Sequence, residues 1–264
     1  MGSQLDYLRH IEHESALFSA EVGAAPADRP VPSCPDWSTA DLIWHLAEVQ
    51  WFWAAIVRDH LSDPDLVPTR PTRPDAVEDL RAFGVRCSAE LMSALARAQP
   101  ADAVWTWATE KSVAFVLRRQ AHEALIHRVD AELVSRQRHP IDPALAADGV
   151  DEVLRIMHSP TRPWATVTPD REATVRIATT DTGDSWAVTL ARFTGTDPEG
   201  TSYEDPVLVI ADQDSGADTR ASITGAAADL DCWLWNRPPV GAIEQHGDAA
   251  VLAGFETVIT EGIE

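Results

Sequence analysis

The stretch Arg118-Arg119-Gln120-Ala121-His122-Glu123-Ala124-Leu125-Ile126-His127-Arg128-Val129-Asp130 decides how the chain is read. It contains neither Gly nor Pro, and its residue types favour a helix. Glu123 and His127 stand four apart, which on a helix places them one turn above each other on one face. Asp130, three further on, continues that stripe. A carboxylate, an imidazole and a second carboxylate in line make part of a metal site, and they make an ordinary solvated face equally well. The helix is expected over about residues 111–136, with Val116 and Val134 on the Glu123/His127 side and Leu125, Val129 and Leu133 on the other. It is therefore apolar on two faces, and its own pattern does not say which looks inward.

Upstream, Val31-Pro32-Ser33-Cys34-Pro35-Asp36-Trp37-Ser38-Thr39-Ala40-Asp41-Leu42 reads as a well-specified helix start. Pro35-Asp36 turns the chain, Ser38 and Asp41 form a capping box, and Trp37 with Leu42 matches a hydrophobic staple. The helix runs to about residue 60, and its apolar stripe reads Leu42, His45, Val49, Phe52 and Ile56. His45 thus takes a seam position among apolar neighbours. It is either a core histidine tied to a carbonyl or carboxylate, or a metal ligand projecting into a bundle interior. Trp44, Trp51 and Trp53 on the same helix read as packing.

Two more helices complete the first half. Residues 4–22 carry Leu5, Leu8, Ile11, Ala16 and Phe18, with His10 and His13 three apart beside Glu12 and Glu14, a pair not taken as ligands. Residues 75–98 carry Leu80, Phe83, Val85, Leu91 and Leu95 as a buried side. Trp105 and Trp107 alternate in a short extended piece suited to wall a pocket. Four long helices with such connections imply a four-helix bundle over residues 1–138, a fold in which metal sites form between facing helices.

Arg138-His139-Pro140-Ile141-Asp142-Pro143 reads as a linker, followed by a bridging helix over residues 144–157. The pattern then changes to short β-rich runs at 173–179, 186–193, 206–211 and 219–224, separated by Gly/Asp turns. A helix at 226–235 ends at Asn236-Arg237-Pro238-Pro239, a short strand covers 243–246, and a last helix covers 249–259. Residues 139–264 are thus expected to form a small α+β domain, making the chain α+β overall.

A formal charge of −21 argues against a nucleic-acid partner and against an anionic membrane surface. The three cysteines, Cys34, Cys87 and Cys232, form no CxxC pair and fit a reducing compartment. No leader pattern opens the chain and no run reaches the length of a membrane span, so a cytoplasmic protein is the expectation. No dimer seam stands out, and a monomer is compatible with the sequence. Lys111 is the only lysine, a bias read as high-GC coding.

Glycine-rich phosphate loops, GxSxG and HExxH are absent. His122-Glu123 begins like HExxH, but the second histidine falls one position late, at His127. None of the cysteines has the local His or Arg context of a catalytic thiolate. What remains is a three-ligand set of His45, Glu123 and His127, the usual donors of a catalytic zinc with an open fourth position, and Asp130 as a group that orients a ligand. A surface Glu/His pair with a core histidine stays open beside it.

Pro35-Asp36-Trp37-Ser38 followed by Asp41-Leu42-Ile43-Trp44-His45-Leu46 resembles the N-terminal domain of the mycothiol-dependent maleylpyruvate isomerase family, whose bundle is DinB-like. The stretch from Arg119 to Asp130 looks like that family's second signature. Residues 230–237 and His246-Gly247-Asp248-Ala249 look like motifs of its small C-terminal domain. The likeness touches both halves. It implies a zinc held by one His and a Glu-xxx-His pair, matched by His45, Glu123 and His127. It also implies a C-terminal active-site arginine, matched by Arg237. Asn236 stands where that motif usually has a small residue.

The resemblance implies mycothiol as thiol cosubstrate and a small electrophile as substrate, the zinc-bound thiol being either transferred or added reversibly to a cis double bond. Two other readings are a metal-dependent hydrolase, which consumes no thiol, and a non-catalytic binding module with a solvated Glu123/His127 pair.

Overall fold

Most of the long helices start where a polar side chain takes up amides that the first turn leaves unbonded. In the computed structural model, which describes residues 5–159, 161–211 and 219–261, Asp6 accepts from the Arg9 amide and caps α1 (Tyr7–Ala24). Gln4, expected to open this helix, lies outside the described residues. Ser38 caps α2 (Thr39–Arg58) in the expected capping box: the Asp41 amide donates to Ser38 Oγ at 3.2 Å and the Ser38 amide to Asp41 Oδ2 at 2.8 Å. α3 (Val77–Arg97) begins without a side-chain cap. Ser112 caps α4 (Val113–Ser135), and Arg136 closes it in the left-handed conformation at φ 61°.

The chain divides into two compact units, Met1–Pro140 and Ile141–Glu264. In the first, α1 packs on α4 and α2 on α3, with α1 also meeting α3 and α2 meeting α4. This closes a four-helix bundle. A two-strand ribbon of β1 (Pro30–Val31) and β2 (Cys34–Ser38), not foreseen from the sequence, joins α1 to α2.

Two expected seams are corrected. On α2 the buried residues include Leu42, Ile43, Leu46, Ala47, Gln50, Trp53, Ala54 and Val57, as well as Ile56. His45, Val49 and Phe52 are only half-buried. The true stripe is wide and is turned from the expected one by about one residue, roughly 100°, with Ile43 and Ala47 set against Gly84 of α3. His45 therefore sits at the edge of the core, with its side chain 34% exposed. On α3, Val85 is exposed and Phe83 half-buried, while Leu80, Cys87, Leu91, Ala94 and Leu95 face inward.

α4 is buried on nearly all sides, and its charges are paired accordingly. Arg128 is fully buried and donates to Glu14 Oε2 on α1 at 2.8 Å and to Glu132 Oε1 at 2.7 Å. His139 Nδ1 lies 2.8 Å from the same Glu132 oxygen. None of these four stood out in the sequence, because a charge is legible as buried only once its helix is.

The second unit is built on a sheet of order β5-β4-β3-β6-β7, in which β3 pairs parallel with β6 and the other neighbours are antiparallel. The strands are β3 (Ala165–Thr179), β4 (Ser185–Thr196), β5 (Ser202–Ala211), β6 (Ala221–Gly225) and β7 (Glu244–Gly247). β3 and β5 start earlier than expected. The early part of β3 is broken off by an irregularity between Pro169 and Thr174, where proline has no amide to give the ladder. The early part of β5 is polar and lacks alternation.

Alternate residues Val175, Ile177, Val188 and Ile223 face one side and form a core with Leu230 and Leu234 of α6 (Ala227–Leu234) and Val251 and Phe255 of α7 (Ala249–Thr260). α5 (Pro143–Glu152), capped by Asp142 and continued by a π turn over Val153–Met157, adds Val150, Val153 and Leu154. Gly247 sits at φ 111°, where a Cβ would meet the Arg220 carbonyl oxygen at 2.3 Å, and Asp248 then caps α7. The His246-Gly247-Asp248-Ala249 motif is thus a turn followed by a cap. Among the described residues, no helix is long and apolar enough to cross a membrane.

The capping box holds the Asp41 carboxyl down at about 2 through Ser38 first and Arg73 next. A folded pKa below the unfolded one stabilises above the unfolded value, near 3.8, and the gain disappears as pH falls through about 2. Asp41 is partly exposed, so we expect Asp41→Ala to cost about 1 kcal/mol at neutral pH and progressively less below about pH 4, read by urea unfolding across pH. Arg128→Leu strands two buried carboxylates, and the same unfolding assay should report a loss of about 3–5 kcal/mol.

Candidate metal centre

The capping box fixes where α2 begins, which sets His45 toward α4. α4 brings Glu123, His127 and Asp130 along one stripe. The structure gathers His45, Glu123 and His127 so that one donor atom from each lies within 4.8 Å of the others. Glu123 Oε1 stands 3.3 Å from His45 Nε2 and 3.2 Å from His127 Nε2. Its second oxygen accepts from Arg119 Nη2 at 3.2 Å. Among the described residues no other group of three such donors gathers as closely. His13 is exposed, and His122 is fully buried with its ring edge-on to Tyr7.

His127 Nδ1 lies 2.9 Å from Asp130 Oδ2, so the ring donates there and turns Nε2 toward Glu123. Trp37, expected as a staple residue, packs against the cluster that contains Leu42 and also covers the site. Its ring centroid is 4.7 Å from that of His45 and 6.2 Å from that of His127. The side chains of Glu123 and His127 are 17% and 10% exposed, so the group opens to solvent on the His45 side.

Electrostatics follow from this enclosure. Burial pushes the Glu123 carboxyl up, but His127, His45 and Arg119 overcome it and hold its pKa well below the usual carboxylate range. Burial pushes the His127 imidazole down, and the carboxylates of Glu123 and Asp130 reverse this and raise it to about 9. The site can therefore hold positive charge against a carboxylate. The Cys87 thiol is pushed up to about 12, chiefly by burial, which does not favour a thiolate there.

Sequence spacing made Glu123, His127 and Asp130 visible, and it also contained the i,i+4 pair Arg119–Glu123, which went unread. Trp37 over the imidazoles had no local signal, since the contact joins separate elements.

Arg237 follows α6 in the second unit. Its amide donates to the Cys232 carbonyl at 2.8 Å and the Asn236 amide to Trp233 at 2.9 Å, closing the helix in a Schellman pattern. Asn236 occupies the left-handed position of that cap at φ 59°, which Gly and Asn accept most readily. The departure noted at Asn236 is thus compatible with the backbone there. Arg237 Nη1 donates to the Trp235 carbonyl at 2.6 Å, fixing the guanidinium near its own helix end.

Comparison with known proteins bears on this site. Residues 8–132 match the mycothiol maleylpyruvate isomerase N-terminal domain, and residues 144–254 match the MDMPI C-terminal domain. A crystal structure of the mycothiol-dependent maleylpyruvate isomerase is similar in fold at a TM-score of 0.59 and 13% identity, covering 92% of this chain and 93% of the other. A structure of a mutant of that enzyme is similar at a TM-score of 0.56, with the same identity and coverage. No curated protein matches the chain by sequence. With one domain model on each unit and together spanning most of the chain, the protein belongs to the mycothiol-dependent maleylpyruvate isomerase family.

Proposed function

We propose that the chain is a zinc-dependent enzyme that activates a low-molecular-weight thiol, mycothiol by the family's precedent, toward a small electrophile. The observation that carries the reading is the convergence of His45, Glu123 and His127 from two helices onto one point. Two imidazoles and one carboxylate are the donor set of a catalytic zinc, and the partial exposure at His45 leaves a side from which a thiol can approach. His45, Glu123 and His127 would hold the zinc, which would supply Lewis-acid chemistry able to favour the thiolate form of a bound thiol.

The chain's own residues have separable tasks in this reading. His45 and His127 present Nε2, and Asp130 holds the His127 proton on Nδ1. Arg119 aims the second oxygen of Glu123, whose charge is held chiefly by His127. Trp37 excludes water from one side of the imidazoles. Arg237 takes the role that the family implies for its arginine, pairing with a carboxylate or a developing oxyanion of the substrate. A hydrolase would use the same donors and need no thiol, so dependence of turnover on added mycothiol separates the two.

Elemental analysis of protein purified without chelator should find close to one zinc per chain. Either His45→Ala or Glu123→Ala should remove the metal and the activity while far-UV circular dichroism stays that of the folded chain. Full activity in either variant would dismiss the ligand assignment. Arg237→Ala should keep the metal and lower kcat/KM by about 100-fold, the scale expected for a charged contact to the reacting group. An unchanged kcat/KM would remove Arg237 from the mechanism.

A further inference from the structure

The hydrogen-bond chain behind His127 does not stop at Asp130. Ser33 Oγ donates to Asp130 Oδ1 at 2.5 Å while Asp130 Oδ2 accepts from His127 Nδ1 at 2.9 Å. Asp130 is fully buried. Its terminal torsion is broad, and the contacts on both oxygens hold the carboxylate plane and with it the ring that meets Oδ2.

Ser33 is itself held. Val31 pairs with Cys34, which makes Pro32 and Ser33 the two loop residues between β1 and β2. Val31 is fully buried, and Arg29 Nη1 donates to the Val134 carbonyl of α4 at 3.2 Å. The far end is tied to α2, since the Thr39 amide donates to the Arg29 carbonyl and the Ala40 amide to that of Ala27, both at 2.8 Å. The loop is thus fastened to both helices that supply the metal donors. From these contacts we infer that Ser33 is a positioning residue of the metal centre, acting through Asp130 to set the orientation of His127.

This rests on the proposed metal reading, and cobalt(II) and zinc added to the full chain test the two separately. Ser33→Ala should weaken zinc binding about 10-fold in competition with a chelator and shift the visible absorption of the cobalt-loaded protein. Ser33→Thr keeps the hydroxyl and should restore both. A purely structural role would lower the melting temperature and leave the cobalt spectrum unchanged. Wild-type affinity and spectrum in Ser33→Ala overturn the inference and leave the metal reading standing. Failure of the unaltered protein to take up cobalt or zinc overturns both together.

Discussion

α4 is enclosed on nearly every side, and a charge carried into such a helix must be met by an opposite one. That requirement organises the first unit. Arg119, Glu123, His127, Arg128, Asp130 and Glu132 all lie on this one helix, and all but the half-buried Glu123 are buried. Each meets a polar or oppositely charged partner either along the helix, as in Arg119–Glu123 and Arg128–Glu132, or across to another element, as in Arg128–Glu14, His45–Glu123 and Ser33–Asp130.

The two sides of the helix spend their charges differently. Toward α1, Arg128 is enclosed between two carboxylates with no exposure, an arrangement that fixes how α1 lies against α4. Toward α2, the carboxylate of Glu123 faces two imidazoles at similar distances and remains partly exposed. The first arrangement is closed and the second keeps an open side. A cation has a place in the second alone, and the Trp37 ring and the Ser33–Asp130 contact give that place defined walls.

The second unit follows a different logic. Its sheet supplies a rigid, alternating apolar face covered by α6 and α7, and the motifs shared with the family turn out to be backbone devices. Gly247-Asp248 is a turn and a cap, and Asn236 is the left-handed residue of a helix end that presents Arg237. Such positions are constrained by φ, which is why they read as motifs even though the contacts that use them lie elsewhere in the sequence.

Helix starts, the capping box, the Glu123/His127/Asp130 stripe and the change from helices to strands were all legible in the sequence, because each rests on residues within a few positions of one another. His45 was legible as unusual but its place was misjudged. A heptad-like stripe names the apolar residues of α2, but only the packing of α2 on α3 decides which side is buried, and that turned His45 from the core to its edge. The early part of β3, before Pro169, went unread although Ala165, Thr166, Val167 and Thr168 alternate, because the run is short and ends at a proline; it is paired with β4. Ser33 and Trp37 carried no signal for the site, since their partners lie on other elements and a ribbon with little pattern brings them there. The sequence by itself determined the elements and the chemical types available to a metal. The tertiary structure decided which of those groups meet, because burial and charge pairing are properties of contacts between elements, not of spacing within one.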